Sequence, residues 1–320
     1  MGDDNNFNPK QLKPIYITIT AVEMKKKKLY FFIATSIWCM QSHAQQDVTF
    51  TLYNYNMNVI NPAYAGTGEK MEFTSNYRAQ WAGLDDAPET WSFTLSGPMG
   101  GKVGLNDKVG LGLSIVNSSV FVLNETDVYA DFSYKLQLKE TVDLFLGLKA
   151  GGSAVNIDLA PIGLDTDPLF SENVSVFNPN VGVGAYLRGE RYFMNISIPA
   201  LLRTSRYEKE SGIATQATDQ MQFFMGAGYQ FPLTKDIVFT PSFLTRVISD
   251  VPFSMDINGT FDLYGLLDLG LSYRLKESMS TLVFFKMSDR LRIGYAYDAA
   301  VTSVSNYRRG NHEAILKFYL

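Results

Sequence analysis

The chain has 320 residues, 46% of them hydrophobic and 19% charged, and a formal net charge of −4. One cysteine and two histidines exclude an intrachain disulfide framework and a thiolate or His-rich metal centre. The acidic balance excludes nucleic acid as a partner, which would need a basic face.

Residues 1–23 are polar and unpatterned and read as an upstream extension ahead of a start at Met24. Lys25, Lys26, Lys27 and Lys28 then precede an apolar run from Leu29 to Met40 and the small-residue stop Ser42-His43-Ala44. A basic head, a short apolar run and such a stop make 24–44 a cleavable export signal, with the mature chain starting at Gln45. The run falls short of the roughly 20 apolar residues that a spanning helix needs. Cys39 follows Trp38 rather than a small residue, which does not suit a lipid anchor. The first 44 residues take with them six Lys/Arg and three Asp/Glu, so the mature chain carries −7, no cysteine and one histidine, His312.

Residues 45–68 alternate poorly, and a periplasmic or lumen-plugging segment is expected there rather than an additional strand. From residue 69 to 320 the pattern has period two, and no long stretch reads better as a helix. Met71, Phe73 and Tyr77 alternate with polar residues, as do Trp91, Phe93 and Leu95, and later Met221, Phe223, Met225, Ala227, Tyr229 and Phe231. Fourteen strands are predicted: 69–81, 89–97, 109–118, 125–138, 141–155, 179–188, 191–198, 218–231, 237–248, 253–262, 265–275, 279–287, 290–298 and 311–320. Most match the roughly 9–11 residues of a tilted membrane-spanning strand, and an even number suits a single-chain bacterial barrel.

Connection lengths separate this barrel from a soluble sandwich. Every second connection is short, as at Lys139-Glu140, Gly189-Glu190, Pro232 to Asp236, Leu263-Tyr264 and Ser288-Asp289, with Pro98 to Lys108 the exception. The alternate set holds the long segments Asn156 to Asn178, Pro199 to Ala217 and Ala299 to Gly310. Tight periplasmic turns opposite long outer loops are the habit of outer-membrane barrels. The fold class is therefore all-β, an antiparallel transmembrane β-barrel of about fourteen strands.

One face of the strands collects charges of both signs: Arg78, Asp131, Asp143, Lys149, Arg246, Asp256, Asp268, Arg274, Arg292 and Asp298. This face must point inward, because Arg or Lys on the lipid side costs about 2–4 kcal/mol at the midplane. Glycines on the same face (Gly110, Gly112, Gly147, Gly182, Gly184, Gly226, Gly228, Gly270 and Gly294) would leave room for those long side chains. Trp81, Trp91, Tyr192, Tyr229, Tyr273 and Tyr319, near strand ends, suit an interfacial aromatic girdle.

Little chemistry is on offer. His312 beside Asn311 and Glu313 reads as a surface or interface histidine, with no nucleophile-base pair around it. Asp165-Thr166-Asp167 would supply carboxylate oxygens to calcium but reads better as a solvated turn closed by Pro168, and Asp85-Asp86 reads the same way. No cofactor is expected.

Three stretches go beyond a generic barrel: Asn61-Pro62-Ala63-Tyr64-Ala65-Gly66; Tyr77-Arg78-Ala79-Gln80-Trp81 with Gly83 and Ala87-Pro88; and Arg290-Leu291-Arg292-Ile293-Gly294-Tyr295-Ala296-Tyr297-Asp298. With Pro241-Ser242-Phe243 and the closing Ser305-Asn306-Tyr307 to Gly310-Asn311-His312-Glu313, they resemble the PorP/SprF family of outer-membrane proteins of the type IX secretion system. The resemblance spans Gln45 to Leu320 and departs from the family in the residues before Met24 and in the loop Gly163 to Val176. It implies a non-enzymatic barrel in the bacterial outer membrane that serves secretion or surface attachment of large exported proteins, in some members linked to gliding motility. Its implied partners are other type IX components, exported proteins with C-terminal sorting domains, and outer-membrane lipid. On their own, Asn61-Pro62 and Ala65-Gly66 make turns in any protein, and Arg290 and Arg292 are expected to pack in the lumen against Asp298 or Asp268. The alternative class is a diffusion porin whose inward charges set ion selectivity; a barrel hydrolase would depend on His312.

Overall fold

In a computed structural model of the chain, the described residues are 50–100, 108–159, 174–202, 220–249, 251–301 and 310–320. The upstream extension, the export signal, the Asp165-Thr166-Asp167 cluster and most of the loops 199–217 and 299–310 lie outside them.

The strands are β1 (Glu72–Ala79), β2 (Glu89–Pro98), β3 (Val109–Val120), β4 (Leu123–Lys139), β5 (Val142–Ile157), β6 (Val174–Arg188) and β7 (Tyr192–Ile198). They continue with β8 (Gln222–Tyr229), β9 (Phe231–Pro232), β10 (Ile237–Ile248), β11 (Ser254–Leu263), β12 (Leu267–Arg274), β13 (Ser278–Lys286), β14 (Leu291–Ala300) and β15 (Asn311–Tyr319). Each pairs antiparallel with its sequence neighbour, except that β8 and β9 both pair with β10, and β15 returns to β1 from Glu72↔Tyr319 to Ala79↔His312. Closure leaves no free sheet edge at the seam. The short β9 completes the crossing begun by β8, since Ser242↔Gly228 and Phe239↔Phe231 lie in one register. The gap between them faces Pro241, which has no N–H to give the ladder. The wall is a closed barrel of fourteen antiparallel crossings.

One predicted boundary moves by five residues. β6 begins at Val174 rather than at residue 179, and Val174–Asn178 pair with Ser153–Ile157, so the long loop after β5 shortens to 158–173. Pro179 looked like a strand start. It is tolerated inside β6 because pairing with β7 stops at Val183↔Ile198, leaving Pro179 on a local edge. The tight connections 140–141, 189–191, 233–236, 264–266 and 287–290 mark one mouth of the barrel, the turn mouth. The opposite loop mouth carries the connections 80–88, 158–173, 199–221 and 301–310, together with tight turns at Phe121-Val122 and 275–277.

Alternation has the expected result for the faces. Trp91, Phe93 and Leu95 of β2 point outward, while Thr90, Ser92, Thr94 and Ser96 are buried inside. Leu111, Leu113, Leu146, Leu148, Leu269, Leu271 and Phe285 extend the apolar outer belt around the wall. No helix among the described residues is long and apolar enough to cross a membrane. The apolar outer belt of the strands is the surface that suits lipid. Tyr319 leaves the predicted girdle: it shares the inward face of β15 with Glu313, Ile315 and Lys317, where the Arg292 guanidinium lies 5.1 Å from its ring.

The inward charges are not scattered. Asp131 stands directly opposite Lys149, Asp143 opposite Arg188, Asp256 opposite Arg274, and Arg78 opposite Glu313. The four pairs close at 3.3, 3.0, 2.7 and 2.8 Å. Opposite charges directly across a ladder favour that register, and a slip of one residue would turn each side chain to the other face.

Candidate functional site in the barrel lumen

The lumen is occupied by the residues that precede β1. Phe50 to Thr67 form a strap of three short 3₁₀ turns, Tyr53–Tyr55, Met57–Val59 and Pro62–Tyr64. Asparagine, proline and glycine keep this stretch out of the sheet. Asn61 caps the third turn by accepting from the Ala63 amide at 2.9 Å, and Pro62 supplies a preset φ at its first position. Gly66, at φ +77°, reverses the chain so close to the wall that a Cβ would lie 2.6 Å from the Gly110 Cα.

A strap without a ladder leaves backbone groups that burial would make costly, and the polar inner wall satisfies them. Lys149 donates to the carbonyls of Asn58 and Val59 at 3.3 and 3.1 Å, and Ser197 to that of Ile60 at 2.7 Å. Ser133 and Arg188 donate to the carbonyls of Ala65 and Thr67. Glu313 accepts the amides of Thr51 and Leu52 at 2.7 and 3.0 Å.

Side chains complete the contact. Asn56 bonds Ser92 and Thr94, Asn58 bonds Asp131, and Tyr55 donates to Asp268 at 2.9 Å while stacking on Phe284 at 4.1 Å. Leu52 is fully buried among Leu282, Phe284, Ala296 and Ile315. Phe50, Tyr53, Met57 and Ala63 pack with Val116, Phe145, Tyr186, Phe224 and Leu244.

The expected purpose of the inward glycines changes for four of the nine, while Gly226, Gly228, Gly270 and Gly294 do lie against wall side chains such as Phe193, Leu282 and Phe284. Gly110, Gly112, Gly147 and Gly184 face Ala65, Asn58, Ala63 and Asn61 respectively, so they make room for the strap and not for long wall side chains.

An ionic clamp fixes the start of the strap. Arg78 of β1 donates to Glu313 of β15 at 2.8 Å, to Asp298 of β14 at 2.6 Å and to the Thr51 hydroxyl at 2.9 Å. The Thr51 hydroxyl in turn donates to Asp298 at 2.8 Å, and Asn76 donates to Glu313 at 2.9 Å. All of these groups are buried.

The motif residues thus fall into separate places. Asn61, Pro62, Tyr64 and Gly66 belong to the strap, with Tyr64 edge-on to Tyr186. Arg78 and Asp298 meet in the clamp. Trp81 (φ 50°) and Gly83 (φ +89°) shape the turn after β1, whose base is closed by the Gln80 amide on the Pro88 carbonyl. Arg290 is exposed at the turn mouth, and neither it nor Arg292 reaches Asp298. Arg292 and Asp298 are six residues apart on one strand, about 20 Å at the usual rise, which forbids the predicted pairing. Asp268 takes the Tyr55 hydroxyl instead. Tyr295 and Tyr297 face outward around His312, with the Tyr295 hydroxyl 2.6 Å from its Nδ1.

Sequence reasoning missed Thr51, Lys149 as a backbone donor to the strap, and Glu313 as a clamp residue. The inward parity of Glu313 with Lys317 was the one available signal. Among the described residues no cluster of His, Cys, Asp and Glu could hold a metal ion. What the arrangement can do is grip a peptide segment through backbone and side chain alike.

A family model described as "Type IX secretion system membrane protein PorP/SprF" matches residues 42–318. No curated protein matches the chain. Among solved structures, the toluene transporter TbuX of Ralstonia pickettii is 10% identical, with 81% of this chain and 92% of that chain covered and a TM-score of 0.49. A FadL homologue of Pseudomonas aeruginosa is 10% identical over 80% and 91% of the two chains, with a TM-score of 0.46. The KdgM porin is 8% identical over 78% and 99%, with a TM-score of 0.38.

Proposed function

We propose, from the premise that this chain belongs to the PorP/SprF family of type IX secretion system membrane proteins, that it is a non-enzymatic outer-membrane component supporting the secretion or surface attachment of large exported proteins. Its partners are then other components of that system and exported proteins with C-terminal sorting domains, and gliding adhesins are the cargo class to examine first. In this reading an export signal brings the chain to the periplasm, the apolar belt meets outer-membrane lipid, and the tight turns face the periplasm.

The observation that carries the reading is the occupied lumen. Wall residues on strands all round the barrel bind the strap, which suits a scaffold better than an open diffusion pore. The absence of catalysis is supported by the outward position of His312, the one histidine after the export signal.

Deleting the gene and comparing the surface and secreted proteins tests the proposal. The expected result is selective loss of one or a few large exported proteins, and tagged barrel should recover secretion components from solubilised envelope. An unchanged exported set, with a large, stable, ohmic conductance from purified barrel in planar bilayers, would establish the porin instead.

A further inference from the structure

We infer that the mature chain enters its own barrel through the loop mouth, so that its N-terminal end is displayed on the side where the long loops lie. As a statement about the cell surface, this rests on the orientation proposed above, with tight turns in the periplasm.

The course of the strap carries the inference. Thr51 binds Arg78, Asp298 and Glu313, each one or two residues from the loop-mouth end of its strand. Farther along, Asn56 reaches Ser92 and Thr94 in the middle of β2. Ala65 then meets Ser133 and Gly110, and Thr67 meets Arg188, the last residue of β6 at the turn mouth. Glu72, the first residue of β1, also lies at the turn mouth. Chain order along the strap therefore runs from loop mouth to turn mouth.

A plug inserted from the periplasmic side would need an earlier stretch running back beside this one. Five residues, Gln45 to Thr49, precede Phe50 in the expected mature chain. A chain reversal alone takes about four residues, so too few remain to return to the turn mouth.

Single cysteines in a Cys39→Ser background test the threading, because the rest of the chain has no thiol. Gln46→Cys, Lys276→Cys at the loop mouth and Ser288→Cys at the turn mouth are each treated with a membrane-impermeant maleimide in intact and in lysed cells. Each variant is first checked for the heat-sensitive gel mobility of a folded barrel. The expected result is labelling of Gln46→Cys in intact cells to the level of Lys276→Cys, and labelling of Ser288→Cys only after lysis. Grouping of Gln46→Cys with Ser288→Cys, or its failure to label in either state, overturns the threading. The orientation is judged separately: if Ser288→Cys labels in intact cells and Lys276→Cys does not, the proposed membrane orientation falls, while the grouping of Gln46→Cys still decides the path of the strap.

Discussion

Arg78 and Asp298 lie 220 positions apart in the chain and touch at 2.6 Å, on strands separated by β15. Glu313 on that intervening strand receives the same guanidinium, so one cation serves two buried carboxylates and ties down the start of the strap. Replacing Arg78 by Met strands both carboxylates without their cation. The expected loss is about 3–5 kcal/mol, as for breaking a buried ion pair from one side. It is read as a lower temperature for conversion of the folded, fast-migrating band in a detergent gel. Adding Glu313→Gln to Arg78→Met should recover part of the loss, and an unchanged conversion temperature in the single variant would refute the clamp.

Gly147→Val places a branched side chain against the Ala63 amide and the Pro62 backbone, where no flexible group can give way. The strap should leave the lumen while the wall still closes, and planar bilayers should record a conductance absent from the parent barrel. Gly259→Ala is the control, because its added carbon meets the ring edge of Phe239 at 3.2 Å on the outer side.

Lys149 and Asp131 form a pair that can be dissected by a double-mutant cycle. Lys149→Met leaves Asp131 buried without its cation and removes a donor from two strap carbonyls. Asp131→Leu also removes the acceptor of the Asn58 side chain. The two losses should not add: a coupling energy within the usual 0.5–3 kcal/mol, about 1 kcal/mol or more, is expected from unfolding in denaturant. Strict additivity would mean that the two groups act independently.

Leu148 is the outward neighbour of Lys149 and is 60% exposed, near the middle of β5. Leu148→Lys should therefore be far worse than its neighbour's natural charge, by about 2–4 kcal/mol at the membrane midplane. Quantifying assembled barrel in the outer-membrane fraction would show it as a marked fall in yield. Wild-type yield would remove the outer face of β5 from the lipid.

The wall was legible because its signal is local. Every residue of Trp91-Ser92-Phe93-Thr94-Leu95-Ser96 announces its side of the sheet through its own polarity and the period of two. Pro179 misled because a proline ends a central strand but not a strand that has outrun its neighbour, and the end of β7 is not visible from β6. The strap was illegible in its course. Asn61 and Pro62 advertise a turn, but nothing in their spacing says that the carbonyl of Ala185 will receive the Asn61 amide. Thr51 carried no signal at all, since its partners come from both ends of the chain. Arg292 and Asp298 share one short motif and suggested a pair, yet six residues of extended chain hold them apart.

The contact between Thr51 and Glu313 joins positions 262 residues apart. A link of that span cannot form until synthesis and strand addition have finished, so it should be missing from the folding transition state. Interactions absent from that state slow unfolding rather than speed folding. The clamp therefore acts as a latch on a finished object: it should have little influence on how fast the protein assembles and a large one on how long an assembled copy persists.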